Sequence, residues 1–119
     1  MSDRYAGYAS LQLERPAEGV LRVVMSAPGR LNAAGDEMHR DLAGIWTELD
    51  RDPEVRAVIV RGAGDAFSAG GDLDLVAAMA DDYAVRVRVL REARDLVYNL
   101  LNCSKPVVSA MAGPAVGAG

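Results

Sequence analysis

From Tyr8 to Glu14 polar and apolar residues alternate, the period of a strand with one face buried. Pro16 to Gly19 supplies a turn, and Val20 to Met25 reads as the returning strand of a hairpin. Ala27-Pro28-Gly29 breaks that strand. Asn32 is expected to cap the next helix, because its side chain can accept from the free N–H groups of a helix start. Between Asp36 and Leu49, the residues Met38, Leu42, Ile45, Trp46 and Leu49 recur at spacings of three and four, the buried face of an amphipathic helix. Asp52-Pro53 ends it, and Val55 to Arg61 forms the next strand. A short helix is expected to start at Asp72 and run through Leu75 and Met79. A longer one spans Tyr83 to Leu101, with Tyr83, Val87, Leu90, Val97 and Leu101 on one side and Arg86, Arg88, Arg91 and Arg94 over the rest. Ser104-Lys105-Pro106 closes it and introduces a strand from Val107 to Met111.

The order strand, strand, helix, strand, helix, helix, strand favours an α/β class. A weak internal echo runs through it: an apolar strand, a small-residue loop and a helix start occur at Val58 to Asp72, and the pattern recurs at Val107 to Gly119. No Ser/Pro-rich linker separates the halves, so a single domain over 1–119 is expected.

Composition narrows the function classes. Half of the 119 residues are apolar, and only 5% are aromatic, so the core is built from Val, Leu, Ala and Met. The formal charge of −4 argues against nucleic acid as the main partner, since a phosphate backbone demands a basic patch. A few local cations can still serve a phosphorylated ligand. The single cysteine, Cys103, forms no internal disulfide and fits a reducing compartment. No basic and apolar leader opens the chain, and no apolar run is long enough to span a bilayer. A cytoplasmic location without membrane contact is therefore expected.

The chemistry lies in the loops. The apolar run from Ala57 breaks into Gly62-Ala-Gly-Asp-Ala-Phe-Ser-Ala-Gly-Gly71 and restarts at Asp72. Glycine and alanine leave room for a ligand to approach the main chain, so such a loop offers backbone N–H groups. The segment Ala66-Phe-Ser-Ala-Gly-Gly-Asp72 resembles the first oxyanion-hole segment of the enoyl-CoA hydratase/isomerase (crotonase) family. Ser104-Lys-Pro-Val-Val-Ser-Ala-Met-Ala-Gly-Pro-Ala-Val-Gly-Ala-Gly119 is similar to the second. Either glycine loop alone is weak; the pair at this spacing is specific. The resemblance extends from the Tyr8 strand to Gly119.

It implies a crotonase-like (ClpP/crotonase) spiral of ββα units, incomplete at the C-terminus, of which this chain is the N-terminal part. It implies two backbone donors, the N–H groups of Gly71 and Ala118, aimed at a thioester carbonyl that gains negative charge. Ala118 stands where the family commonly has glycine, and keeps the N–H. The carbonyl of Ala69 would face the adenine of coenzyme A. Pro28-Gly-Arg-Leu-Asn-Ala33 corresponds to a family segment lining the coenzyme path, with Arg30 the candidate for a phosphate contact because guanidinium grips phosphate in a bidentate way. Leu31, Gly70, Asp72 and Leu73 complete the implied coenzyme A-binding set. No separate cofactor is implied, since coenzyme A is part of the substrate.

Plainer readings stand beside these. Asp72 is expected to be a helix cap rather than an acid catalyst. Asp65, Asp72 and Asp74 fit no calcium-loop spacing, and no metal site is expected. His39, the sole histidine, reads as a surface or boundary residue, and Cys103 as a buried apolar filler near a helix end. Ser68 sits one glycine short of a nucleophile elbow, with Ala66 in its place and no downstream histidine. Gly62 to Phe67 begins like a dinucleotide fingerprint but ends in Phe, where close packing needs a small residue. No Gly-Lys-Ser/Thr follows any glycine loop, so a P-loop is absent.

The implied function is hydration of a 2-enoyl-CoA in fatty acid metabolism, with trimers or hexamers formed by the full-length protein. Isomerase, dehalogenase, decarboxylase and thioester hydrolase reactions share the scaffold, and an inactive fragment with assembly contacts alone is the rival of another class. The resemblance puts the family's usual glutamate pair beyond Gly119. The 119 residues alone are therefore expected to bind acyl-CoA poorly and turn it over negligibly.

Overall fold

The computed structural model describes residues 3–119. After a 3-10 turn at Asp3–Tyr5, the chain forms β1 (Leu11–Ala17), β2 (Val20–Met25), α1 (Asp36–Arg51), β3 (Ala57–Gly62), α2 (Leu73–Asp81), α3 (Tyr83–Leu101) and β4 (Val107–Ala110). The order of elements is the one read from the pattern. One four-stranded sheet runs β1-β2-β3-β4; β1 and β2 are antiparallel, while β3 lies parallel to both β2 and β4.

β1 differs from expectation. It starts at Leu11 rather than Tyr8 and continues through Pro16, leaving only Glu18 and Gly19 for the turn. Proline is tolerated because β1 is an edge strand, and the pairing slips between Glu14 and Ala17, where a missing N–H costs little. Gly19, at φ +77°, supplies the left-handed residue of the tight turn. β3 begins at Ala57, with Val55 buried in the turn before it, and β4 ends at Ala110.

The core forms between the sheet and α1. Leu21, Val23, Val58 and Val60 meet Met38, Leu42, Ile45, Trp46 and Leu49 in one cluster. All five members of the apolar stripe read for this helix are buried. At its C-terminal end, Lys105 donates to the carbonyls of Leu49 (2.7 Å) and Asp52, a cation where the helix dipole is negative. The Asp52 carboxylate is itself buried, accepting from the Tyr5 hydroxyl (2.6 Å) and the Glu54 N–H (2.9 Å).

Other details depart from the sequence reading. Asn32 does not cap α1: Gly35 occupies that position, with no side-chain cap. And α3 does not pack by the side carrying Tyr83, Leu90, Val97 and Leu101, all of which are exposed. It packs on α1 and α2 with Val89 buried, while Leu96 and Leu100 join the edge of the core. Half-buried His39 reaches across from α1 to Glu92 on α3 (2.8 Å), which agrees with a boundary histidine. Cys103 is half-buried, not buried, just past the end of α3.

Candidate functional site: two pinned glycine loops

Because β3 and β4 are parallel neighbours, the loops that follow them leave the same end of the sheet. The loops are also bonded to each other. Phe67 and Ser68 both donate their N–H to the Pro114 carbonyl (3.0 Å each), and Val116 N–H donates to the Ser68 carbonyl (2.9 Å). Close packing enforces the fit: a Cβ on Gly113 would collide with the Asp65 backbone, and one on Gly119 with Ser68. Gly70, at φ +91°, has room for no side chain, since its Cβ would lie 2.7 Å from the Val116 carbonyl oxygen and 3.3 Å from the Ala118 nitrogen. The Gly70-Gly71 and Gly117-Ala118 turns are thus in direct contact.

On its other side the first loop lies along residues 31–34. Ala69 N–H donates to the Leu31 carbonyl (2.9 Å), Ala34 N–H to the Gly70 carbonyl (2.8 Å), and Asp72 N–H to the Ala34 carbonyl (2.8 Å). Gly70 N–H donates to the Ser68 hydroxyl (3.1 Å), which in turn donates to the Asn32 carbonyl (3.4 Å). Ser68 is buried, and its hydroxyl is committed to the loop. The amides of residues 69, 70 and 72 are all consumed. Among the described residues, neither the Gly71 N–H nor the Ala118 N–H has an acceptor, and both residues are exposed. A ligand oxygen can reach them.

Asp72 is the expected cap: it occupies the N-cap of α2, and its side chain accepts from Asp74 N–H (2.8 Å). That backbone bond, reinforced by the Arg30 guanidinium, holds its carboxyl below the usual carboxylate range despite the opposing effect of burial. Arg30 bonds Asp72 and lies 3.8 Å from Asp74, while its side chain remains more than half exposed. A phosphate at Arg30 would therefore share the guanidinium with two carboxylates. Leu31 and Leu73 are exposed beside it, and Ala69 is half-buried. A hollow of about 320 Å³ opens against Arg30, Asp72, Asp74 and Arg88; Gly71 and Ala118 do not line it. A wider, open depression of about 930 Å³ lies at the opposite end of the sheet, around Arg15 and Arg56. It contains none of the loop residues. Among the described residues no three metal-ligating side chains cluster, and no helix is long and apolar enough to cross a membrane.

Sequence reasoning did not assign the job of Asn32. Its buried side chain accepts from Ala27 N–H (3.0 Å) and donates to the carbonyls of Ala63 (2.9 Å) and Ala66 (3.0 Å). Its position just after a Pro-Gly break is the one signal that pointed to a turn.

A mixed sheet with helices packed as seen here, and two interlocked loops at one end, defines a crotonase-like α/β fold. The chain belongs to the enoyl-CoA hydratase/isomerase family, whose model matches residues 15–119. A probable enoyl-CoA hydratase of Mycobacterium tuberculosis is 40% identical over 100 residues, covering 84% of this chain and 38% of that protein. A 1,2-epoxyphenylacetyl-CoA isomerase of Escherichia coli is 36% identical over 111 residues, covering 90% of this chain and 42% of that one. In the crystal structure of an enoyl-CoA hydratase/isomerase from Mycobacterium paratuberculosis, the similar region has a TM-score of 0.85 at 36% identity, spanning 91% of this chain and 43% of that one. The chain thus spans about two-fifths of the length of the curated relatives it matches.

Proposed function

We propose that this chain forms part of an acyl-CoA site in which the N–H groups of Gly71 and Ala118 polarise a thioester carbonyl for hydration of a 2-enoyl-CoA. The observation that carries the reading is the pair of unsatisfied amides on mutually bonded loops, one of them flanked on both sides by amides already in use. Each such donor stabilises a developing oxyanion by about 3 kcal/mol. The N-terminus of α2 begins two residues after Gly71 and adds its positive dipole end. Leu31, Ala69, Gly70 and Leu73 would border the coenzyme, with Arg30 at its phosphates and Asp72 holding the loop that meets them. No cofactor beyond the substrate's own coenzyme A enters the scheme.

Hydration also needs carboxylates that move protons. We assign these to residues outside the 119, together with the contacts that would build a trimer or hexamer. Isomerisation is the second reading, favoured by the isomerase among the relatives; it shares the donor pair and differs in those carboxylates.

The test is a titration of the ¹⁵N-labelled chain with crotonyl-CoA and, separately, with free coenzyme A. The Gly71 and Ala118 amide protons are expected to move downfield with the thioester and far less with the thiol. Movement elsewhere with these two unchanged would refute the donor assignment. Loss of the conjugated thioester absorbance should stay near background for these residues alone, and rapid loss would refute the placement of the acids.

A further inference from the structure

We infer that Asn32 is a positioning residue: its side chain holds residues 31–34 as a template on which the Gly71 donor is set. The inference rests on the proposed donor role of Gly71 and deepens it. Three observations converge on this residue.

First, Leu31 and Asn32 are consecutive left-handed residues, at φ +51° and +60°, and the only non-glycine residues with positive φ among those described. Asparagine tolerates that conformation; leucine does so poorly. Such a turn persists only where its surroundings over-determine it. Second, the Asn32 side chain supplies that constraint. It bridges the Ala27 N–H on its own loop to the Ala63 and Ala66 carbonyls of the loop after β3, using its acceptor and donor ends together. Third, the fixed turn presents its carbonyls to the segment carrying Gly71. Leu31 O takes the Ala69 N–H, Asn32 O takes the Ser68 hydroxyl, and Ala34 O takes the Asp72 N–H. Gly71 is the one residue of 69–72 whose N–H the template and Ser68 leave free. Asn32 touches no reacting atom in this arrangement; it acts through the loop.

The test combines hydrogen exchange with the crotonyl-CoA titration, on Asn32→Gly and Asn32→Asp. Glycine keeps the left-handed backbone and deletes the bridge. Expected for Asn32→Gly is exchange about tenfold or more faster at the Ala69 and Asp72 amides, with amides in the middle of α1 unchanged, and loss of the thioester-induced shift at Gly71. Asn32→Asp, which keeps the acceptor and loses both donors, should fall between. Should Asn32→Gly fail to fold, Asn32→Asp carries the decision, because it keeps the acceptor for the Ala27 N–H and deletes only the donors to the Ala63 and Ala66 carbonyls. Unchanged exchange at Ala69 and Asp72, or a Gly71 shift retained in a folded variant, would overturn the inference. A wild-type chain with no thioester-induced shift at Gly71 would instead overturn the thioester reading, and the exchange rates would still decide whether Asn32 sets the loop.

Discussion

Gly70 and Gly71 are neighbours of identical chemistry, yet the fold asks different things of them. Gly70 has φ +91° and the Val116 carbonyl where a side chain would go; Gly71 has nothing nearer than Val76 Cγ2 at 3.8 Å. Gly70→Ala should therefore destabilise by about 2 kcal/mol or more, whereas Gly71→Ala should stay within about 0.5 kcal/mol. Urea melts followed by the fluorescence of Trp46, the only tryptophan and a buried one, would measure both. Leu31 is the opposite case, since an exposed leucine is held at φ +51°. Leu31→Asn should raise stability by up to about 1 kcal/mol by relieving that conformation. Asp72 sets a pH dependence. Its carboxyl titrates below the ordinary value, so its contribution is full above about pH 4 and is lost as pH falls through the depressed folded value. Protection factors at the amides of residues 72–76, which compare exchange with its intrinsic rate at each pH, should fall over that acid range. In Asp72→Asn, which caps without charge, the fall should be weaker.

At the scale of elements, α3 carries two apolar rows at helical spacing. One is Tyr83, Val87, Leu90, Val97 and Leu101; the other is Val85, Val89, Leu96 and Leu100. Periodicity marks both as able to pack and cannot choose between them. Packing makes the choice: Leu96 and Leu100 join the edge of the core and Val89 is buried, while Glu92 and Asn99 bond His39 and Ala43 of α1. Val89→Ala should cost about 1–2 kcal/mol and Leu90→Ala less than about 0.5, read by the same melts. The strands β2 and β3 and the helices α1 and α2 were legible because burial on one face leaves a regular trace in sequence. The capping role of Asp72 was legible too, because it depends on residues next to it in the chain. Asn32 was misread for the opposite reason. Its backbone turns left-handed and its partners lie 31 and 34 positions away, so no local rule reaches them. Pro16 misled similarly, since only the sheet order makes β1 an edge. For the loops, resemblance supplied the pairing; the structure supplies the bonds between them.

The whole molecule exposes more than its size requires. Its accessible surface is 6842 Å², against about 6200 Å² expected for a folded chain of this mass. Large apolar side chains lie exposed on the elements: Leu73 and Val76 on α2, Leu101 at the end of α3, Val108 on β4 and Met111 just after it. Surface of this kind drives association. Sedimentation of the 119 residues should show mass rising with concentration, and Leu101→Lys with Met111→Lys should reduce it. A strictly monomeric sample across that range would contradict this expectation.

The parallel bridge of Ser68 with Ala115 has one more consequence. Adjacent strands sit about 4.8 Å apart, and a donor pair inheriting that separation, each nitrogen about 2.9 Å from one oxygen, would embrace it at an angle near 110°. That matches the spread of an oxyanion's lone pairs. Gly71 and Ala118 each lie three residues past the bridge, and a slip of one residue there would carry the second amide about 3.3 Å along its axis, beyond any bonding reach. The bonds that tie Ser68 to Pro114 and Val116 are thus a ruler, and its zero mark would determine whether one atom can be held from two sides.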